Sequence, residues 1–298
     1  MMKRQKANIT ITSAEDGGIL DVIKRALPEK SGTTLKSHLT HRQIFINNKL
    51  ALRHDDKVRV GDRIEIRMER TENLAIDSRL LKIVYADNDI IVIDKQHGLL
   101  SVATNRFEQK TAFRLLSDLV KRQDPANKIF VVHRLDRETS GLMMFARNEE
   151  SKQRLQEDWT NMVTDRRYIA VTEGIIPTDS GYIDAPLAEN SAMQVYVARN
   201  NEGRPARTDF QVLKRGGRHT LVELHLETGR KNQIRVHLKH IGYPIVGDKK
   251  YGAKDFSMGR LALHASRLCF IHPRSGEEMK FEIDTPQRFI KLVENGRS

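Results

Sequence analysis

The chain has 298 residues, 39% apolar and 30% charged, with a formal net charge of +12. That length allows one large core or two unequal ones, and the composition excludes a disordered chain. No apolar run reaches the roughly 18 residues that span a bilayer, and the opening MMKRQKANITITS lacks the apolar centre of a secretory signal, so no membrane association is expected. The charge favours a polyanionic partner, nucleic acid before acidic membrane. The single cysteine, Cys269, lies in the apolar run RLALHASRLCFIHP and reads as a buried, inert thiol. A cytoplasmic protein fits that usage.

Half of the positive excess falls early: residues 1–70 carry 15 Lys and Arg against 9 Asp and Glu. In GGILDVIKRAL, Ile19, Leu20, Ile23, Ala26 and Leu27 make one helical stripe that Pro28 closes. SGTTLKSHLTHRQ starts a second helix at a Ser or Thr cap, with Leu35 and Leu39 inward. IFINNKLAL reads as two strands around Asn47-Asn48, a pair that tolerates positive φ, and KVRVGDRIEI alternates as a half-buried strand should. Such a unit is too small to be more than marginally stable alone. It resembles the alpha-L RNA-binding module, in which the second helix and the hairpin present basic residues to structured RNA. The resemblance assigns that role to Lys36, Arg42 and Lys49.

The polar stretch MERTENLAIDSRL supplies a linker, giving a module over 1–70, a linker over 71–80 and a larger domain over 81–298. In that domain LKIVYADNDIIVIDKQHGLLSV gives two strands, and RFEQKTAFRLLSDLVKRQ an amphipathic helix with Phe113, Leu116 and Val120 inward. EESKQRLQEDWTNM sets Leu155, Trp159 and Met162 at helical spacing, as core residues. From Arg166 to Leu226 short alternating runs broken by Gly and Pro predict a largely antiparallel sheet, and NQIRVHLKHIG a short helix ending at Gly242. The fold class expected is α+β: a largely antiparallel mixed sheet with flanking helices, plus the small amino-terminal domain.

Chemistry concentrates in VVHRLDRETSGLMMFARN, where HRLDRETSG is a loop between two apolar strands. Its one aspartate, Asp136, stands among His133, Arg134 and Arg137. Cations so close favour the charged carboxylate, which suits a nucleophile or base and not a general acid. On the residues alone, a structural salt bridge from Asp136 to Arg134 or Arg137 explains the pattern equally well.

HRLDRETSG closely resembles the signature of the RluA family of pseudouridine synthases, with Asp136 at the family's aspartate. LKIVYADNDIIVIDKQHG, RRYIAVTEG, ETGRKNQIRVHLKHIGYPIVGDKKYG and RLALHASRLCFIHP resemble its other motifs in order, over roughly residues 80 to 285. The resemblance implies isomerisation of uridine to pseudouridine in RNA, ribosomal or transfer, without cofactor or metal. It implies catalysis by Asp136, with Arg235 paired to it, Tyr168 packed on the uracil and a candidate acceptor for the proton of carbon 5, and Arg134 filling the gap left by the extruded nucleotide. Arg230, Lys231, Lys249 and Lys250 would meet phosphates. Two positions depart from the pattern: Asn232 stands where many members have histidine, and Gln96 where proline is usual, a change expected to loosen the loop near Gly98.

No second acidic residue stands out as the partner that a glycosidase needs, which favours isomerisation over RNA nucleoside hydrolysis. A non-catalytic RNA-binding or ribosome-assembly protein on the same fold is the other alternative, and it predicts loss of Asp136, Tyr168 or Arg235. His237 and His240 sit at helical spacing, but no Cys or carboxylate set completes a zinc pattern, and no Gly-rich phosphate cradle follows a strand. A monomer is the default expectation.

Overall fold

The computed structural model describes residues 8–40, 43–51, 53–67, 79–103, 110–199 and 202–295. Arg42 and residues 71–78 of the linker lie outside the described residues. The architecture is α+β, built on one 14-stranded mixed sheet in which most pairings are antiparallel.

The strands Leu81–Ala86, Ile90–Lys95 and Ser140–Ala146 form the region that carries the Asp136 loop. Ser140–Ala146 is buried at every position, because helices cover both of its faces. Leu142, Met144 and Ala146 join a core with Leu155 of the helix Glu149–Glu157, whereas Met143 and Phe145 join Leu116 and Val120 of the helix Ala112–Gln123. Strand periodicity deals alternate side chains to the two layers. The helix Ala112–Gln123 buries Ala112, Leu116 and Val120, and Phe113 packs partly buried beside them. The predicted EESKQRLQEDWTNM segment breaks at Asp158 into Glu149–Glu157 and Trp159–Met162, since Asp158 (φ −125°, ψ 42°) leaves the helical region.

The longer half of the sheet runs Glu278–Glu282, Leu263–Ile271, Asp165–Glu173, His219–Leu226, Arg207–Arg215, Ser180–Asp184. The helix Gln233–His240 covers its inner face through Ile234 and Leu238, and Gln287–Asn295 packs against the same core through Phe289 and Val293. The two halves meet where Ser140 and Gly141 pair in parallel with His264 and Ala265.

The amino-terminal elements form as expected. Helices Ile19–Ala26 and Gly32–Thr40 pack on short strands, Ser31 Oγ accepts from the Thr34 amide at 3.2 Å, and Asn47 and Asn48 both take positive φ (49° and 64°). This unit leans on the larger domain. Lys49–Leu50 pairs in parallel with Glu278–Glu282, and Phe45 and Leu50 pack with Tyr85 and Phe281. The Arg67 guanidinium lies 3.9 Å from the Phe45 ring centroid and 3.2 Å from Glu277. Strand pairing and shared core thus supply burial that so small a unit lacks by itself.

Gly141 fixes the junction beside the Asp136 loop. Its φ is +114°, and a Cβ there would lie 2.2 Å from the Ala265 carbonyl oxygen. Gly141→Ala is expected to lower the unfolding free energy by at least ~2 kcal/mol, measured by urea titration, because neither backbone can yield without losing the pairing.

Candidate active site

The Asp136 loop is anchored through its backbone. Ser101 Oγ donates to the Leu135 carbonyl (2.7 Å) and accepts from the Leu135 amide (3.1 Å), and the Gly98 amide donates to the Arg137 carbonyl at 2.8 Å. Beneath it Lys95, with no exposed surface, directs its ammonium at the carbonyls of Leu99 (2.8 Å), Gln96 (3.2 Å) and Arg137 (3.3 Å). Burial pushes that ammonium down to about 8, while Asp136 and Glu138 favour its charged form. At the Gln96 departure, the amide donates to the Leu80 carbonyl at 2.9 Å, a bond that proline cannot make.

Asp136 takes its ion pair from a helix far along the chain. Arg235 Nη1 stands 3.3 Å from Asp136 Oδ2, and Asn232 Nδ2 donates to the same oxygen at 2.5 Å. Arg235 is itself clamped, because Nε and Nη2 donate to the two oxygens of Asp248 at 2.8 and 2.7 Å. Asp248 has no exposed surface. Burial opposes the Arg235 charge, yet Asp248 and Asp136 together hold its guanidinium above the ordinary arginine range. Tyr251 completes the set, with its hydroxyl donating to Asn232 Oδ1 at 3.1 Å and its ring 5.0 Å from the Arg235 guanidinium carbon. Asn232 adopts a left-handed backbone (φ 53°, ψ 20°) immediately before the helix, and asparagine tolerates that conformation best after glycine.

Asp136, Tyr168, Arg235 and Arg134 line one cavity of about 70 Å³, with Asn232 and Arg230 beside them. The four residues assigned to the reaction therefore converge. Tyr168 lies on the inner face of the strand Asp165–Glu173, paired with buried Leu224, and burial raises its phenol above the ordinary range, which keeps it protonated near neutrality. Arg134 is exposed and makes no ion pair among the described residues; Arg137 stands 3.9 Å from Glu138. The local salt bridge that the sequence left open is replaced by the long-range pair to Arg235.

The basic residues assigned to RNA are more dispersed. Arg230 is exposed near the cavity, with Nε on the Pro205 carbonyl (3.1 Å). Lys231 pairs with Glu189 and approaches the Met193 carbonyl at 3.4 Å, as does Lys250 at 3.3 Å. Lys36 is exposed on the second helix. Lys49 stands 3.8 Å from Glu282, in a separate groove of about 790 Å³ that shares no residue with the cavity. From there a ladder of charges crosses the outer sheet face: Glu282–Arg267 (2.9 Å), Arg267–Asp165 (3.6 Å), Asp165–Arg167 (2.9 Å) and Arg167–Glu223 (2.9 Å).

Sequence reasoning passed over Lys95, Asp248 and Tyr251. The last two lie in the quoted GDKKYG, where an aspartate after glycine reads as an ordinary turn residue. His237 is taken up by the fold, bonding Thr208 Oγ1 (2.9 Å) and the Ala185 carbonyl (3.0 Å). Asp87, Asp89 and His272 cluster closely enough to suggest a metal site. There, however, His272 Nδ1 accepts from the amides of Arg274 and Ser275, its Nε2 meets Asp87, and Arg274 holds Asp89. Protein donors already occupy those ligand atoms.

Residues 89–240 match the family model described as RNA pseudouridylate synthase. An uncharacterized RNA pseudouridine synthase, YlyB, of Bacillus subtilis is 35% identical over 90% of each chain. The ribosomal large subunit pseudouridine synthase D of Escherichia coli O157:H7 is 31% identical over 99% of this chain and 95% of its own. Among solved structures, human RNA pseudouridylate synthase domain containing 4 superposes with a TM-score of 0.58 at 26% identity, covering 70% of this chain and 90% of its own. The chain belongs to the RNA pseudouridylate synthases, in the RluA family, and is an isomerase. Among the described residues no helix is long and apolar enough to cross a membrane.

Asp248→Asn removes the charge that balances the buried Arg235 guanidinium. It is expected to lower the unfolding free energy by ~3 kcal/mol in urea titration and to slow pseudouridine formation by at least roughly tenfold through misplacement of Arg235.

Proposed function

We propose that this enzyme isomerises particular uridines in structured RNA, with large-subunit ribosomal RNA the substrate class, as in the name of its E. coli relative. The uridine is extruded from its helix, the bond from ribose C1′ to uracil N1 breaks, the uracil turns, and C1′ bonds to carbon 5, whose proton passes to solvent while the freed N1 takes one up. The sum is an isomerisation: no water enters and no redox partner is consumed. Asp136 attacks the nucleoside or stabilises positive charge on the ribose, Arg235 pairs with it and orients it, and Tyr168 packs against the uracil. Arg134, exposed and without an ion pair among the described residues, offsets the few kcal/mol of extrusion by stacking in the vacated position.

One observation carries this reading over hydrolysis. The second carboxylate of the site, Asp248, is buried with both oxygens taken by Arg235. It cannot activate water as the second carboxylate of a hydrolase does. The convergence of Asp136, Tyr168 and Arg235 on one cavity argues equally against a non-catalytic RNA binder.

The same reading divides the chain into an RNA-binding module over 1–70, a linker over 71–80 and a catalytic domain over 81–298. Lys36, Arg42 and Arg230 contact phosphates. Lys49 and Lys231 do so by exchanging Glu282 and Glu189 for RNA. The enzyme acts as a cytoplasmic monomer without cofactor.

Two outcomes are expected with large-subunit ribosomal RNA carrying tritium at uracil carbon 5. The wild-type chain releases label to water, and Asp136→Asn lowers release by more than ~10³-fold while RNA affinity stays within about threefold, since no phosphate contact is lost. Free uracil in place of released label identifies a hydrolase. RNA affinity should also fall steeply between ~50 and ~200 mM salt, as phosphate contacts release counterions.

A further inference from the structure

Arg166 is a cation without an assignment. It lies on the same strand as Tyr168 and two residues before it, so strand alternation places both on the inner face, away from the charge ladder. The register agrees, because Arg166 pairs with buried Leu268 and Tyr168 with buried Leu224. Its guanidinium carbon lies 5.7 Å from the Trp159 ring centroid, and Nη2 donates to the Leu226 carbonyl at 3.3 Å. Its other side faces the turn before the helix Gln233–His240, where a Cβ on Gly229 would come within 2.8 Å of Nη1. Leu226 and Arg230, which flank that turn, line the Asp136 cavity.

The other buried guanidiniums are provided for. Arg67 has Glu65 and Glu277, Arg235 has Asp248 and Asp136, and Arg260 donates to Ser140 Oγ and to the carbonyls of Leu261 and Leu263. Arg166 makes one hydrogen bond and no ion pair among the described residues. A guanidinium carries five N–H donors. Burial depresses its charge, opposed by Tyr168 and by no carboxylate. A half-buried cation left with open donors, behind Leu226 and beside Tyr168 of the Asp136 cavity, is costly to the fold unless an anion arrives with the substrate.

We propose that Arg166 binds the RNA backbone phosphodiester next to the extruded uridine, its fork of N–H donors meeting the phosphate oxygens beside the Gly229 turn. The inference rests on the RNA isomerase reading above. Residues i and i+2 of a strand are roughly 7 Å apart. That is the scale on which one nucleotide separates its base, against Tyr168, from its own phosphate. A side chain at position 229 would collide with the Arg166 guanidinium, so Gly229 lets that cation lie against the turn. Arg166 binds substrate and does not act in the chemistry.

The test uses the full chain, transcribed large-subunit ribosomal RNA and three readouts on Arg166→Gln and Arg166→Lys. For Arg166→Gln, KM in tritium release should rise roughly tenfold with kcat nearly unchanged, as loss of a charge-assisted bond made equally in ground and transition states requires. The slope of log Kd against log salt should shrink by about 0.7 to 0.9, one phosphate contact, and Arg166→Lys should restore the slope without the full affinity. The melting temperature of Arg166→Gln should not fall, since the wild-type cation lacks a carboxylate in the free enzyme. A lower melting temperature with an unchanged salt slope would identify a structural brace and overturn the inference alone. Absence of tritium release from the wild-type chain overturns the isomerase reading, and this inference with it.

Discussion

A single guanidinium shared between two carboxylates organises this enzyme. Arg235 gives Nε and Nη2 to buried Asp248 and is left with Nη1 toward the half-buried Asp136. The bidentate pair removes the rotational freedom of a long side chain, so the arm toward Asp136 is aimed before substrate arrives. A lone buried guanidinium would be expensive, and a lone buried aspartate equally so; each makes the other tolerable. Asn232, held by Tyr251, adds a neutral donor to the same Asp136 oxygen. Asparagine at this position thus makes the contact without adding a titrating group.

The scaffold brings these residues together by joining two unlike halves of a sheet. One half carries the Asp136 loop on strands buried on both faces, and the other carries Tyr168 and, through a crossing helix, Arg235. Their parallel junction at Ser140 and Gly141 sets the distance between the halves. The faces of the second half differ in charge character. The outer one neutralises its cations by carboxylates in a chain from Glu282 to Glu223, whereas the inner one leaves Arg166 without an acid among the described residues, and the Asp136 loop adds exposed Arg134. For a chain of net charge +12, that contrast is a physical reason for polyanion to approach from the side of the cavity.

Local patterning was the most legible part of the sequence. The apolar runs around Asp136 specified buried strands, Asn47-Asn48 specified a tight turn, and Ile19 and Ile23 specified a helix face. The meeting of Asp136 with Arg235, 99 positions away, was legible only through the family motifs, because no periodicity relates a loop to a distant helix. Partners of the surface cations were not legible at all. Nothing in the vicinity of Lys231 or Lys49 points to Glu189 or Glu282, which topology alone brings near. Asp248 was hidden for a different reason, since its place after Gly247 looks like turn chemistry and it does cap that turn, accepting from the amides of Lys250 and Tyr251 at 3.0 and 3.1 Å.

Whether Asp248 works through Arg235 is decided most directly by a double-mutant cycle on kcat for tritium release, with Arg235→Lys, Asp248→Asn and the pair. If the clamp exists only to aim the guanidinium at Asp136, the double variant is no slower than the worse single variant. Losses that multiply, each substitution costing its full factor in the presence of the other, would contradict it.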